Sequence, residues 1–376
     1  MQKKKIKIFI IAGEVSGDIL GAKIMREMPD AEFSGIGGEN MRAAGLRPIF
    51  PISELAVMGL FEVLAHARAL TRRIRQAAGA IVREKPDIVL TIDSPGFAKR
   101  VVGKVRSFKN RPGLKPLFYH LVAPQVWAWG AWRAKKFAKI FDRLYVFFDF
   151  EKPYFTKYGL PAVAVGHPIA DGLPVRKERK SKEKIISLIP GSRMSEVKKL
   201  MPLFKQVARL LCNLKSGGRE YRFYIPVVET TKDHIMREIK TWPVCAEVVP
   251  ASERYELYAR TYLAVAASGT VSAELAIMRV PAVIVYKMNF LTMLLARFLV
   301  KVKFVSLVNI LSGKAIYPEL LGRDATSGNI IRQVKRLSSA PARKKMIENL
   351  ASVGKIWQKS NSAARLIAKD IAAQAG

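Results

Sequence analysis

The chain has 376 residues, half of them hydrophobic, which is more than one core usually holds, since single domains stop growing near about 250 residues. Lys and Arg number 64 against 30 Asp and Glu, and the formal charge of +34 directs the surface toward polyanions, either nucleic acid or an anionic membrane. The two cysteines, Cys212 and Cys245, exclude a disulfide framework, have no zinc-like spacing and fit a reducing cytoplasm.

The opening "MQKKKIKIFIIAGEVSGD" has the lysines and apolar run of a signal peptide, but the run is short and leads into Glu14 and Asp18 without a cleavage-like site. Residues 5 to 12 therefore read as a first strand. Further apolar runs, DIVLTID (87–93), PLFYHLV (116–122) and RLYVFF (143–148), alternate with longer amphipathic stretches, the pattern of parallel βα units. The charged stretch "VRKERKSKEK" (175–184) reads as an exposed linker, after which a second series begins: IISLIP (185–190), RFYIPVV (222–228), YLAVAAS (262–268) and AVIVYK (282–287). "FLTMLLARFLV" (290–300) contains Arg297 and is too short to span a bilayer, which takes about 20 residues. The expected architecture is α/β, with two Rossmann-like parallel-sheet domains. The expected boundaries are 1–172, 173–340 and a basic helical tail, 341–376, packed back on the first domain or on a partner subunit.

The turns that follow the strands carry the chemistry. "AGEVSGDILGAKIM" (12–25) enters a helix whose unpaired N–H groups suit anions or sugar hydroxyls; glycine used for geometry alone is the plainer account. Neither it nor "GIGGEN" (35–40) is the GxGxxG fingerprint, which disfavours a nicotinamide enzyme. "TIDSPGF" places Asp93 at the carboxyl end of an apolar strand, where it can act as a general base; Glu14 is the rival, and capping of the next helix the structural alternative. Trp127, Trp129 and Trp132 stand beside Arg133, Lys135 and Lys136; such aromatics stack on a base or a sugar, or simply pack.

In the second half, "LIPGSRMSEV" sets Ser192 and Arg193 at a turn where an arginine can grip phosphate bidentately. "AASGTVSAELA" adds Ser268, Gly269 and Thr270, and the two turns together outline a diphosphate site. Glu274, one turn into the helix, is placed for ribose hydroxyls or for charge compensation at the helix start. "SELAVMGLFEVLAHARAL" (53–70) is apolar nearly all round, which fits either a buried helix or a contact of Val57, Met58, Leu60, Phe61 and Leu64 with membrane or acyl chain. The four histidines form no metal-like pair, and only His167 looks placed.

In this order, "AGEVSGD", "GIGGENMRAAG", "ELAVMGLFEVL", "KPDIVLTIDSPGF", "APQVWAW", "FEKPYFTKYGLPAVAVGHPIAD", "IPGSRMSEV", "ASGTVSAELA" and "FVSLVNILSGKAIYPELL" span residues 12 to 321 and resemble the lipid-A-disaccharide synthases. These are inverting glycosyltransferases of the GT-B type, with the substrate cleft between two domains. The resemblance implies UDP-2,3-diacylglucosamine as donor, 2,3-diacylglucosamine 1-phosphate as acceptor, and a β-1,6 disaccharide 1-phosphate and UDP as products. It implies no metal and no cofactor. It further implies a peripheral enzyme on the cytoplasmic face of the inner membrane, whose partners are the two lipids and the anionic bilayer, with no nucleic acid and with a homodimer as the remaining option. Carried over by position, Asp93 is the general base with Glu14 as alternative; Arg193, Ser192, Ser268, Gly269 and Thr270 hold diphosphate. Glu274 takes the ribose, Asn309 lines the donor cleft, and Ser16, Gly17 and Trp127 line the acceptor side. The family's "IDxPDF" commonly has a second Asp where Gly96 stands here. Two other readings are a UDP-GlcNAc-using GT-B enzyme or epimerase with another substrate, and a basic nucleic-acid-binding protein.

Overall fold

The computed structural model describes residues 5–56, 67–108, 112–128, 130–170, 173, 184–213, 221–287, 303–358 and 362–375. The chain divides into two compact units, Met1–Pro168 with Ser360–Gly376, and Ile169–Lys359. The apolar segments at 57–64 and 290–300, and Trp129, lie outside the described residues.

The first unit is built on β1 (Lys7–Ala12), β2 (Glu32–Ile36), β3 (Arg47–Pro48), β4 (Ile88–Ile92), β5 (Leu117–Leu121), β6 (Arg143–Val146) and β7 (Ala162–Ala164). They pair in the order β3-β2-β1-β4-β5-β6-β7, every pair parallel. Strand alternation divides the apolar residues between two faces. Phe9, Ile11, Val89, Phe118 and Leu144 join one core, while Ile8, Ile10, Ile88, Leu90 and Tyr119 join the other. The helices Ala67–Glu84 and Pro95–Arg106 cover the first face through Ala77, Ile81, Phe97 and Val101. The helix Val15–Arg26 covers the second through Leu20 and Ile24.

That second core is completed from the far end of the chain. Ala364, Ile367, Ala368 and Ile371 of the helix Ala363–Ala375 are buried in it. On the same helix, Asp370 accepts from Nε and NH2 of Arg143, both at 2.5 Å, and from the Tyr145 hydroxyl at 2.8 Å.

The second unit repeats the plan with β8 (Lys184–Ile189), β9 (Tyr221–Val227), β10 (Ala246–Pro250), β11 (Leu263–Ala267), β12 (Ala282–Tyr286) and β13 (Glu319–Leu321). The order is β10-β9-β8-β11-β12-β13, again all parallel. The α/β reading with two parallel Rossmann-like sheets holds. All eight strands expected from apolar runs are present, and the five not foreseen, β2, β3, β7, β10 and β13, lie at or next to sheet edges.

In each sheet the strand order reverses once, between β1 and β4 and between β8 and β11. At such a switch point the connections on either side leave in opposite directions, opening a crevice at the carboxyl ends of the strands. The turns that follow these four strands are AGEVSGD, DSPGF, PGSRM and SGTVSAE.

Asp18 locks the first of these turns to its neighbour. Its buried carboxylate accepts from the backbone N–H of Gly38 (2.7 Å), Asn40 (3.0 Å) and Met41 (3.1 Å), and from Asn40 Nδ2 (2.9 Å). It thereby caps the helix Glu39–Ala43. Burial pushes its pKa up, but the bonds from Asn40, Gly38 and Met41 outweigh burial and hold it below the ordinary value. A depressed folded pKa contributes stability that is complete above the unfolded value of about 3.9 and lost as pH falls through the folded one. Urea unfolding of wild type and Asp18→Asn is therefore expected to show a stability gap that is constant from pH 6 to about 4 and shrinks below. A gap flat to pH 3 would show that the ionised carboxylate is not what the turn requires.

Candidate active site

On the first unit, the turns after β1 and β4 meet. Gly13 N–H donates to Ile92 O at 3.3 Å, and the Ser94 side chain occupies the space that a Cβ on residue 13 would need. This close approach is what Gly13 is for. Gly17 serves packing in the same way, since a Cβ there would meet Ile92 Cγ2 at 3.3 Å. Gly17, expected on the acceptor side, is buried where its helix packs on β4.

Beside these turns lies a cavity of about 540 Å³ lined by Glu14, Ser16, Ser94 and Arg100, with an apolar wall that includes Val15, Leu70 and Phe97. Glu14 and Ser16, both exposed, are thus brought together by the structure. Asp93 stands next to Ser94, half-buried, and is not among the lining residues. Its N–H donates to Leu121 O at 2.9 Å, and its Oδ1 accepts from the Ser94 N–H at 2.7 Å. It does not cap the following helix: Ser94 occupies the cap position and Pro95 the first turn.

The backbone here is strained. Asp93 (φ 57°) and Ser94 (φ 44°) follow β4, and Val122 (φ 75°) follows β5, all three in the left-handed region that side chains disfavour. Such strain persists only where the surroundings enforce it, and it clusters at functional sites.

Trp127, expected on the acceptor side, is half-buried after β5. Its indole N–H donates to Glu151 at 3.3 Å and its ring packs edge-on to Phe150 at 5.6 Å. Glu151 also accepts from the N–H groups of Phe147 and Phe148; burial raises its pKa, opposed by the Phe148 and Trp127 bonds. Buried Glu151 and half-buried Trp127 together fasten the chain after β6. His167 packs on Phe147 at 4.4 Å, and burial lowers its pKa to about 4, so the imidazole is neutral.

At Gly96 there is room. A Cβ would meet nothing within 4 Å, and the residue is exposed in the first turn of the helix Pro95–Arg106. Gly96→Ala is expected to stabilise by about 0.5–1 kcal/mol through helix propensity. Gly96→Asp is expected to add a further 0.3–1 kcal/mol, roughly, by favourable charge at the helix start. Thermal melts of the two variants test this, and a fall in Tm for Gly96→Ala would contradict the open space.

On the second unit, Gly191 adopts φ 97° two residues after the end of β8, with Glu196 and Ala267 where its Cβ would point. Ser192 and Arg193 are exposed at the head of the helix Met194–Cys212. The Arg193 side chain is 79% exposed and pairs with Glu196 at 3.2 Å. Such a surface pair is weak, so the guanidinium is available to an anion.

Ser268, Gly269 and Thr270 follow β11 and lead into the helix Val271–Ile277. Ser268 is fixed by its N–H to Val285 O at 3.1 Å, whereas Gly269 and Thr270 are exposed. A Cβ on residue 269 would meet nothing within 4 Å, so the protein's own packing does not require glycine there. Glu274 is buried on the same helix, accepting from Tyr255 OH at 3.1 Å and from Arg254 at 3.4 Å. Burial opposes the Arg254 charge, but Glu274 outweighs it and raises the guanidinium pKa; burial and then Glu274 raise that of Tyr255. Arg254 and Tyr255 were not foreseen. They lie in "ASERYELYAR", whose helical spacing marks a helix but not what its residues reach.

Asn309, expected to line the donor cleft, is held from within the second unit. It is fully buried, with Nδ2 donating to Tyr317 O and Glu319 Oε1, both at 2.8 Å, and Oδ1 accepting from Tyr317 N–H at 2.9 Å. Glu319 in turn accepts from the N–H groups of Val305 and Ser306, each at 2.9 Å. The side chain's capacity is thus spent inside the protein, where it closes "SLVNILSGKAIYPEL" on itself.

Two parallel sheets with their switch points so furnished define an α/β protein of the GT-B type. In keeping with this, UDP-GlcNAc 2-epimerase from Neisseria meningitidis, solved with UDP-GlcNAc bound, superposes with a TM-score of 0.63 over 97% of this chain and 99% of that one. At 12% identity that likeness is one of fold. The sequence goes further: the LpxB model, Lipid-A-disaccharide synthetase, matches residues 8–374, and the chain belongs to that family. It is 37% identical over 368 residues to lipid-A-disaccharide synthase of Rhodospirillum centenum, covering 94% of this chain and 90% of that protein. To the enzyme of the same name from Paramagnetospirillum magneticum it is 38% identical, over 88% of this chain and 87% of the other. Family membership favours glycosyl transfer over the epimerase and nucleic-acid readings.

Proposed function

We propose that the protein transfers the sugar of UDP-2,3-diacylglucosamine to the 6-hydroxyl of 2,3-diacylglucosamine 1-phosphate, releasing UDP. The observation that carries this reading is the family match over residues 8–374, joined to four motif turns at the two sheet switch points. A bond forms between the acceptor oxygen and C1 of the donor sugar, the bond from C1 to the β-phosphate oxygen breaks, and the anomeric configuration inverts. Asp93 takes the hydroxyl proton, with Glu14 the alternative base. Arg193, with the Ser192 and Ser268–Thr270 turns, stabilises the diphosphate as it leaves. Glu274, oriented by Arg254 and Tyr255, accepts from the ribose hydroxyls. The first unit takes the acceptor and the second the nucleotide sugar.

The charge of +34 supports a place on an anionic bilayer, from which both substrates come. Among the described residues no helix is long and apolar enough to cross a membrane, and the proposed contact is peripheral, on the cytoplasmic face. The test is UDP release from UDP-2,3-diacylglucosamine in detergent micelles, with and without the acceptor, with lipid products analysed by mass. Acceptor-dependent release with a tetra-acyl disaccharide 1-phosphate is the expected result; UDP binding without product would send the search to other acceptors.

A further inference from the structure

The cavity on the first unit is lined by residues of two chemical kinds. Val15, Leu70 and Phe97 offer hydrocarbon, whereas Ser16, Ser94 and Arg100 offer hydrogen-bonding groups. Among the described lining residues Arg100 alone is cationic. It stands four residues after Gly96 on the helix Pro95–Arg106, so both project from one face, and both line the cavity. With glycine at 96, that helix face sets no carboxylate beside the guanidinium. No hydrogen bond or ion pair engages Arg100 among the described residues, in contrast to Arg73, Arg106, Arg143 and Arg254, each of which reaches a carboxylate.

An exposed, unpaired guanidinium at the rim of a half-apolar cavity matches an amphiphile with an anionic head. Its planar fork binds phosphate oxygens in pairs. Glu14, on the same lining, repels a phosphate and accepts from a neutral hydroxyl, so the two ends of a phosphorylated sugar are told apart by charge. We infer that Arg100 receives the anomeric phosphate of the acceptor glycolipid, with acyl chain against Val15, Leu70 and Phe97. It thereby selects a phosphorylated acceptor over a neutral one. The inference rests on the reaction proposed above.

The experiment compares wild type, Arg100→Gln and Arg100→Lys on 2,3-diacylglucosamine 1-phosphate and on 2,3-diacylglucosamine with a free anomeric hydroxyl. Arg100→Gln is expected to raise KM for the phosphorylated acceptor about 10- to 150-fold, the range of a charged hydrogen bond. KM for the donor, kcat, and use of the neutral acceptor are expected to stay within about twofold, with Arg100→Lys recovering part of the loss. Equal losses on both acceptors, or none on either, would overturn the inference. Equilibrium binding of the two lipids in micelles supplies a readout without turnover: wild type prefers the phosphorylated lipid and Arg100→Gln does not. If wild type makes no disaccharide, the reaction is refuted, and the binding comparison still decides the role of Arg100.

Discussion

Asp93→Asn is expected to lower kcat by about 10²- to 10⁴-fold, the contribution of a positioned general base, while the Kd for UDP stays unchanged. The substitution removes the proton acceptor and little else. Asparagine adopts the left-handed backbone more readily than other side chains do, so it suits φ 57° at this position. Its amide oxygen keeps the bond from the Ser94 N–H, now 2.7 Å from the carboxylate. Asp93→Ala would confound the comparison by adding backbone strain. Turnover with saturating acceptor and calorimetric UDP binding are the two measurements. Unchanged turnover would move the base role to Glu14, which lines the neighbouring cavity, and Glu14→Gln would then show the loss instead.

The central strands were legible because they are buried on both faces and read as unbroken apolar runs: β1, β4, β8 and β11 carry almost no polar residue. Edge strands are not so constrained. β3 has two residues and β7 and β13 three each, and β10 "AEVVP" has only Val249 buried, too little periodicity to separate strand from loop. The site turns were legible for the opposite reason, since glycine and serine after an apolar run mark a turn whatever it binds. What the sequence concealed is which side chains serve the protein rather than a substrate. Asp18 in "AGEVSGD" caps a helix 20 residues on, and Asn309 closes its own loop. Motifs read as substrate contacts thus devote part of their residues to holding the turn in shape. Arg100 escaped notice because one cation among 64 carries no signal until a cavity surrounds it.

Asp370→Ala is expected to destabilise the first unit by about 3–5 kcal/mol, the cost of stranding one partner of a largely buried pair. For a domain of this size that lowers Tm by roughly 6–20 °C. Arg143 and Asp370 are 17% and 19% exposed, so the cost lies well above that of a surface pair, about 1 kcal/mol at most. Asp370 also takes the Tyr145 hydroxyl, so its loss removes the acceptor of three donor groups on two residues at the edge of the core. Burial and then the Asp370 charge raise the Tyr145 pKa, keeping the phenol protonated as a donor. Asp370→Asn, which retains an acceptor oxygen but not the charge, is expected to fall between the two, and Tyr145→Phe to cost about 1 kcal/mol. Thermal and urea unfolding of the three variants would establish the order, and a loss below about 1 kcal/mol for Asp370→Ala would reduce the contact to a surface pair. The consequence reaches the chemistry, because the face that the last helix covers also carries Ile10, Leu90 and Ile92. These belong to β1 and β4, from whose ends the Glu14 and Asp93 turns depart. A chain end with no motif of its own therefore supports the sheet that presents the proposed base.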